Sequence, residues 1–355
     1  MSKKHVIIPT SILCLMIVGI VIFLENQNPP ASSQVAPEEP YVAPAEIKAV
    51  YSTSETALSP RFKQLEEQIN QTELNAVVIN VNDGLQEKNF AQLGEVVKRL
   101  NQEKVHTIAR IAVFQNPALV YAKPALALKT RNGSIWQDSG GQVWLDPSNH
   151  QAWEEILSLS KKVIQLGFRE VNLDYIRFPS SGALQSAVYP SYDLKTPKWQ
   201  IIDSFAQFMR DNLKKEYPQT LLTADIFAHV LLIDDDADIG QKFTEIVDYF
   251  DAVAPMIYPA LYKPGHFEQS DPAANPYPIV FGTLSVAKNK LAAVKKTPTI
   301  RPWLQAFSQG AAYGPERIKE EFKALRDAGF ASGWMLWNPR NVYSYPLPIK
   351  PKALN

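Results

Sequence analysis

Two aspartates carry the chemistry that this sequence offers most directly. Asp174 lies in the apolar segment Glu170–Phe178, and Asp225 holds a similar place in Leu221–Ala228. Side chains alternate between the two faces of a strand, and a carboxylate on a buried face is costly unless it is paired or functional. Glycoside hydrolysis requires at least two carboxyl groups directed at one cleft. One protonates the leaving oxygen, and the other attacks the sugar or activates water.

The alternative to a catalytic role is a structural one. In that case each aspartate pairs with a neighbouring arginine or caps a loop. Arg177 closely follows Asp174 and is expected to hold it ionised. Arg110 is predicted to point into the barrel, where a lone arginine needs an anionic partner such as Asp83 or Asp174. The sequence leaves two roles open for Arg110: support of the site, or recognition of an acidic substrate.

Amide and aromatic side chains collect at the ends of other apolar segments. Asn80 and Asn82 point the same way, and amides suit sugar hydroxyls, although Asn-Asp-Gly is also an ordinary turn. Sugars stack their apolar faces on aromatic rings, so we expect Tyr258 and Trp337 in the cleft and Trp334 in the core. The predicted substrate-binding residues are Asn80, Asn82, Arg110, Arg177, Tyr258, Trp303, Gln305, Trp337 and Asn338.

The composition argues against several other functions. The chain has 36 acidic and 36 basic residues, and it lacks the basic excess of a nucleic-acid-binding protein. Its one cysteine, Cys14, lies in the hydrophobic N-terminal run, so the folded part has no disulfide or thiolate chemistry. The five histidines lack the spacing of metal ligands, and no phosphate-binding loop or Gly-x-Ser-x-Gly elbow occurs. We therefore expect no cofactor and no metal.

Beyond residue 46, short apolar segments alternate with amphipathic ones, which predicts a (β/α)₈ TIM barrel at 47–346. The predicted strands are Lys48–Thr53, Asn75–Asn82, His106–Phe114, Glu170–Phe178, Leu221–Ala228, Ala252–Pro259, Thr299–Phe307 and Gly333–Asn338. The predicted helices are Pro60–Asn70, Phe90–Gln102, His150–Leu166, Lys198–Tyr217, Ile239–Phe250, Ser285–Lys296 and Pro315–Ala328. A doubly wound open sheet is the alternative, but its usual glycine-rich turn after the first strand is absent at Ser52–Glu55.

The N-terminus predicts a membrane anchor. Residues 6–24 form an uncharged run whose length, at ~1.5 Å per residue, is close to the ~30 Å of a bilayer's hydrocarbon core. Residues 25–46 are rich in Pro, Ala and Glu and are expected to form an extended linker. The lysines in residues 1–5 should stay in the cytoplasm. The sequence thus predicts a single-pass protein of the cell membrane with its barrel, and the tail at 347–355, outside the cytoplasm. A cleaved signal peptide is the alternative.

Five segments resemble a bacterial domain family of glycosyl hydrolases. The most specific is Asp-Tyr-Ile-Arg-Phe-Pro at 174–179. The others are Trp144–Ser148, Ala254–Pro259, Arg301–Phe307 and Gly333–Pro339. The resemblance implies a TIM-barrel glycosidase, similar at a distance to amylase-like and chitinase-like enzymes. Amylase-like enzymes carry a nucleophilic aspartate at the end of strand 4, which corresponds to Asp174. Their acid is a glutamate after strand 5, where this chain has Asp225.

Two functions follow from these patterns. The first is a glycoside hydrolase that acts on an envelope or extracellular polysaccharide, with Asp174 as nucleophile or base and Asp225 as acid. The second is a barrel without catalysis: a membrane-tethered protein that binds glycans or organises the envelope. In either case the expected partners are a polysaccharide or oligosaccharide and, through the anchor, the membrane, with no nucleic acid.

Overall fold

The structure, a computed structural model, describes residues 41–81, 87–292, 294, 298–343 and 349–351. The predicted anchor at 6–24, most of the linker and Asn82 lie outside the described residues. Among the residues described, no helix combines the length and the apolar character needed to cross a membrane. The barrel belongs to a compact unit that begins at Ala43.

Parallel strands close into a barrel, which confirms the predicted (β/α)₈ fold. The strands within the described residues are β1 (Ile47–Thr53), β2 (Ala76–Asn80), β3 (His106–Ala112), β4 (Glu170–Asp174), β5 (Leu221–Phe227), β6 (Ala252–Ile257), β7 (Thr299–Ile300), β8 (Trp303–Gln305) and β9 (Gly333–Trp337). Strands β7 and β8 both pair with β6 and share the seventh position of the barrel, while β9 pairs with β1 and closes it. The carboxyl ends of all strands therefore meet at one rim.

Helices cover the outside of the barrel. They are α1 (Ser54–Ala57), α2 (Phe62–Gln71), α3 (Glu87–Gln102), α4 (Pro117–Ala122), α5 (His150–Gln165), α6 (Lys198–Glu216), α7 (His229–Leu232), α8 (Phe243–Ile246), α9 (Pro276–Leu291) and α10 (Pro315–Asp327). Local signals start several of them: the side chain of Asn149 accepts from the backbone N–H groups of Gln151 and Ala152 and caps α5.

Two helix predictions were wrong in extent. Helix α9 begins at Pro276, well before the predicted Ser285, because prolines in a first turn occupy positions whose N–H groups need no partner. The helix predicted over Ile239–Phe250 is reduced to α8 and a 3₁₀ turn. Its first part is lost because Gly240 has φ +85°, a left-handed conformation that an α-helix does not contain.

Most predicted strands were also too long at their ends, and the two largest differences lie beside the candidate site. Strand β4 stops at Asp174 because Tyr175 has φ +54°, a rare left-handed conformation for a residue with a Cβ. The strand predicted over Thr299–Phe307 is interrupted at Pro302, which has no N–H to donate to a neighbouring strand. The alternation of faces therefore ends at Asp174 and does not extend to Ile176.

The barrel has an outer core under the helices and an inner core inside the sheet. The inner core includes small residues such as Ala49, Ala76 and Ala254 beside larger ones such as Tyr51 and Trp303. Trp334 lies in the outer core, where it stacks on Phe322 with ring centroids 4.5 Å apart, as predicted for a packing residue. The polar side chains described below replace apolar ones inside the barrel.

Candidate active site

One layer of side chains inside the barrel holds the centre of the candidate site. TIM barrels fill their interior with layers of four residues taken from alternate strands. Here the first, third, fifth and seventh positions supply Tyr51, Arg110, Asp225 and Trp303. Trp303 donates from Nε1 to Oδ1 of Asp225 at 2.7 Å, and its ring meets Tyr51 edge-on. The guanidinium of Arg110 lies 5.8 Å from the centre of the Tyr51 ring.

Arg110 joins the two aspartates that the sequence singled out. Its Nη2 donates to Oδ2 of Asp174, and its Nε lies 3.6 Å from Oδ2 of Asp225. Its Nη1 donates to Oδ1 of Asn80 at 2.6 Å. The predicted pairing of Arg110 with Asp174 is therefore present in the structure. One guanidinium, partly exposed at the floor of the barrel mouth, brings three predicted site residues together.

Asp174 is much less open than a carboxylate in an exposed cleft. Only 4% of the residue is exposed. Oδ2 accepts from Arg110, and Oδ1 accepts from the backbone N–H of Tyr175 at 2.5 Å. The left-handed backbone conformation of Tyr175 belongs to the same turn as this hydrogen bond. Rare backbone conformations of this kind are concentrated at functional sites.

Asp225 has a different environment. It is 1% exposed, and Oδ1 accepts from Asn172 Nδ2 at 2.9 Å as well as from Trp303. Oδ2 has no hydrogen-bond partner among the described residues. Burial, and then the neighbouring charge of Asp174, raise the pKa of Asp225 to about 8, so it is protonated at neutral pH. The two carboxyl groups beside Arg110 thus have different surroundings. Enzymes use such differences to give one carboxyl group the role of acid and the other the role of base.

Aromatic rings line the barrel above this layer. Tyr258 stacks on Trp337 with centroids 5.3 Å apart, and Phe307 meets both rings edge-on. Tyr51 lies 6.5 Å from Trp337 and links these rings to the buried layer. Tyr258 is 6% exposed, and Trp337 is more open, so the edge of this group reaches the mouth.

A cavity of about 380 Å³ opens beside these rings. Its lining includes Phe227, which is two residues beyond Asp225 on β5, and Met256, its partner in register on β6. Tyr258 belongs to both the cavity and the ring group, so the cavity adjoins these rings. Its size is at the lower end of the ~300–1,000 Å³ typical of small-ligand pockets.

The structure places four predicted site residues in other roles. Arg177 does not bond to Asp174: its Nη1 donates to the backbone of Phe178 at 3.0 Å, and the guanidinium lies 4.8 Å from the Trp144 ring centre. Trp303 is 1% exposed, and its indole N–H donates to Asp225. A sequence does not show which neighbour a long side chain reaches, and the substrate-binding roles of Arg177 and Trp303 stay predictions.

Gln305 and Asn338 are buried, and their side chains bond to the backbone. Gln305 accepts from the N–H of Ala260 at 3.0 Å and donates to the carbonyl of Phe307 at 2.9 Å. Asn338 donates to the carbonyl of Ala306 at 2.7 Å and accepts from the N–H of Arg340 at 2.9 Å. Both side chains hold rim loops in place, and their role in substrate binding stays a prediction.

Sequence reasoning missed three residues of the site. Tyr51 lies on the inward face of β1, and Asn172 and Glu170 precede Asp174 on the same face of β4. The signal was available, because Glu170, Asn172 and Asp174 recur with period two in a strand buried on both sides. Among the described residues, no group of three or more His, Cys, Asp or Glu side chains is arranged to hold a metal ion.

Comparison with known proteins places the chain in a family. The model of a family described as "Putative glycosyl hydrolase domain" matches residues 49–343, which span nearly the whole barrel. The chain belongs to this family. Membership of this glycosyl hydrolase family assigns it to the glycoside hydrolases, as the Asp-Tyr-Ile-Arg-Phe-Pro segment at 174–179 suggested. A comparison with curated proteins finds no match.

The chain is also similar to several solved structures. The α-galactosidase TtGalA from Thermus thermophilus is 12% identical, with a TM-score of 0.53, over 84% of this chain and 59% of the enzyme. A hypothetical protein from Ruminiclostridium thermocellum is 29% identical, with a TM-score of 0.43, over 50% of this chain and 96% of that one. The glycoside hydrolase domain of PelA from Pseudomonas aeruginosa is 14% identical, with a TM-score of 0.49, over 85% of this chain and 98% of that one. At 12% identity the first likeness shows a shared barrel fold.

Proposed function

We propose that this protein hydrolyses glycosidic bonds with Asp174 as nucleophile or base and Asp225 as general acid. The observation that carries the proposal is the contact of both carboxyl groups with Arg110. Asp174 accepts two hydrogen bonds, as an ionised carboxylate does, whereas the raised pKa of Asp225, about 8, keeps a proton available. Glycoside hydrolysis requires one carboxyl group in each state.

The proposed reaction moves one proton from Asp225 to the leaving oxygen while the bond from that oxygen to the anomeric carbon breaks. In the retaining course, a carboxylate oxygen of Asp174 forms a bond to the anomeric carbon. Water then displaces it and returns a proton to Asp225. In the inverting course, Asp174 takes a proton from the water that attacks the anomeric carbon. Arg110 stabilises the negative charge on Asp174 before either step.

The proposed substrate is a polysaccharide or oligosaccharide bound at the barrel mouth. Tyr258 and Trp337 offer apolar surface for a sugar ring, and the adjoining cavity of about 380 Å³ has room for a neighbouring unit. The equal numbers of acidic and basic residues favour neither an anionic nor a cationic polymer. The membrane anchor predicted at 6–24 and the linker at 25–46 suggest that the polymer belongs to the cell envelope or the extracellular matrix.

The test compares wild type with Asp174→Asn on cell-wall and exopolysaccharide fractions. We expect Asp174→Asn to lose the release of reducing ends and to retain binding in co-sedimentation. Asp211→Asn is the matched control, because Asp211 is an exposed aspartate on α6. Release by Asp174→Asn at the wild-type rate would exclude Asp174 from the reaction.

A second candidate is glycan binding without cleavage, and the burial of Asp225 favours it. At 1% exposure, Asp225 meets a substrate only if the side chains that cover it move. If wild type binds a fraction but releases no ends from any fraction, the binding function replaces the hydrolase. Protease treatment of intact cells tests the location separately: cleavage of the domain is expected if it lies outside the membrane, and protection would contradict the anchor orientation.

A further inference from the structure

A chain of buried hydrogen bonds runs from Glu170, at the start of β4, to Asp225 on β5. Thr223 Oγ1 lies 2.7 Å from Glu170 Oε1. Asn172 Nδ2 lies 3.2 Å from Thr223 Oγ1 and 2.9 Å from Asp225 Oδ1. None of the four residues is more than 1% exposed. The chain therefore connects the interior of the barrel to the proposed acid without contact with solvent.

Glu170 fixes the direction of these hydrogen bonds. Although burial acts against it, the guanidinium of Arg301 and then His106 lower the pKa of Glu170 to about 2, so its carboxylate can only accept. Thr223 has one hydroxyl proton, which it must donate to Glu170. Thr223 Oγ1 is then an acceptor towards Asn172. The side chain of Asn172 must therefore present its NH₂ group, and not its carbonyl, to Thr223 and Asp225.

Trp303, like Asn172, presents a hydrogen-bond donor to Oδ1 of Asp225. An indole N–H can only donate, and Trp303 Nε1 lies 2.7 Å from the same Oδ1 that Asn172 contacts. A proton on Oδ1 would face two donors. The proton of the neutral carboxyl group therefore lies on Oδ2, which has no hydrogen-bond partner among the described residues and lies 3.6 Å from Arg110 Nε.

We infer that Glu170, Thr223 and Asn172 are positioning residues, which together with Trp303 keep the transferable proton of Asp225 on Oδ2. This inference rests on the proposed role of Asp225 as the acid. Oδ2 is the oxygen nearer the guanidinium that also binds the proposed nucleophile. A polar network that starts with an ion pair inside the barrel thus selects which oxygen of the acid can give up a proton.

Other neighbouring groups also affect the pKa of Asp225, so a test must leave their side chains unchanged. The charged groups are Asp174 on β4 and Arg110 on β3, and the neutral one is Tyr258 just after β6. Tyr51 on β1 contacts Arg110 and Trp303. A change at Thr223 leaves all of these side chains in place, so Thr223 is the residue to alter.

The test compares Thr223→Val with Thr223→Ser in the full-length protein. Valine keeps the shape of threonine but lacks the hydroxyl group, whereas serine keeps the hydroxyl group and loses a methyl group. Without the hydroxyl, Asn172 is free to turn its carbonyl to Asp225 and accept from the protonated form. For Thr223→Val we expect a higher pKa of Asp225 and a kcat about ten-fold lower with unchanged KM. For Thr223→Ser we expect wild-type values.

The pKa is read without substrate, from the ¹³C carboxyl signal that disappears in Asp225→Asn. A purely structural role of Thr223 predicts the opposite order: Thr223→Val would titrate like wild type, and Thr223→Ser would be the perturbed variant. That result overturns the inference. If Thr223→Val shifts the titration while wild type releases no reducing ends from any glycan, the network stands and the proposed hydrolase function fails. The two failures are therefore distinguishable.

Discussion

Nε of Arg110 lies 3.6 Å from Oδ2 of Asp225, within the range of an ion pair but beyond that of a good hydrogen bond. The stronger contact of Arg110 is with Asp174, to which its Nη2 donates. The guanidinium therefore favours the charge on one carboxylate more than the other. This difference in contact with Arg110 separates the proposed base from the proposed acid.

The rate should fall at alkaline pH as Asp225 loses its proton. Burial and the charge of Asp174 raise the pKa of Asp225 to about 8. Asp225 therefore carries its proton below that pH and loses it above that pH. We expect kcat/KM to decline above about pH 8, and Asp225→Asn to lower it roughly 100-fold. Aryl glycosides with acidic leaving groups need less protonation and should lose less activity in Asp225→Asn. An equal loss for activated and unactivated substrates would contradict the acid role.

Arg110→Lys should reduce catalysis without unfolding the barrel. Lysine keeps the charge, but one ammonium group cannot reproduce the separate contacts of the guanidinium with Asn80, Asp174 and Asp225. We expect kcat to fall about 100-fold, with a melting temperature close to that of wild type. Arg326→Lys, an exposed arginine on α10, is the control and should leave kcat unchanged. Full activity of Arg110→Lys would show that charge alone suffices.

Asp203→Asn should stabilise the fold at neutral and alkaline pH but not at acidic pH. Burial, and then the nearby Glu245, raise the pKa of Asp203 on α6 to about 7, compared with about 3.9 in an unfolded chain. A group with a raised pKa contributes stability at low pH that is lost as the pH rises to the folded value. Asparagine cannot ionise and removes that loss. We expect a gain on the order of 1 kcal/mol at about pH 8 and little change at about pH 4.

Chemical denaturation at the two pH values measures this difference. Asp211→Asn on the same helix is the control, because Asp211 is exposed and should give no gain at either pH. A gain for Asp203→Asn that is equal at both pH values would point to packing and not to ionisation.

Gly333→Ala should open the barrel where its last strand meets the first. Gly333 has φ +99°, and a Cβ there would lie 1.9 Å from the carbonyl oxygen of Ile47, its partner in β1. We expect a loss of about 3 kcal/mol or more, measured by denaturation. Gly265→Ala is the matched control: Gly265 has φ +97°, but its Cβ would meet nothing within 4 Å. Equal losses at both positions would mean that backbone strain and not the clash is responsible.

The sequence predicted the fold well because barrel strands carry local signals. Apolar runs bounded by amphipathic helices gave the strand order, and period two placed Asp174 and Asp225 inside the barrel. The exact ends were less predictable. The left-handed turn at Tyr175 has no local signature, and the extension of α9 to Pro276 depends on proline being tolerated in a first turn.

The partners inside the barrel were decided by the tertiary structure. The sequence by itself determined which residue types point inward, including the two carboxylates and Arg110. It did not determine that Trp303, 78 positions from Asp225, would donate to it across the barrel interior, or that Arg177 would turn away from Asp174. The physical reason is that strand register and barrel closure set these contacts, and both depend on the packing of the whole sheet.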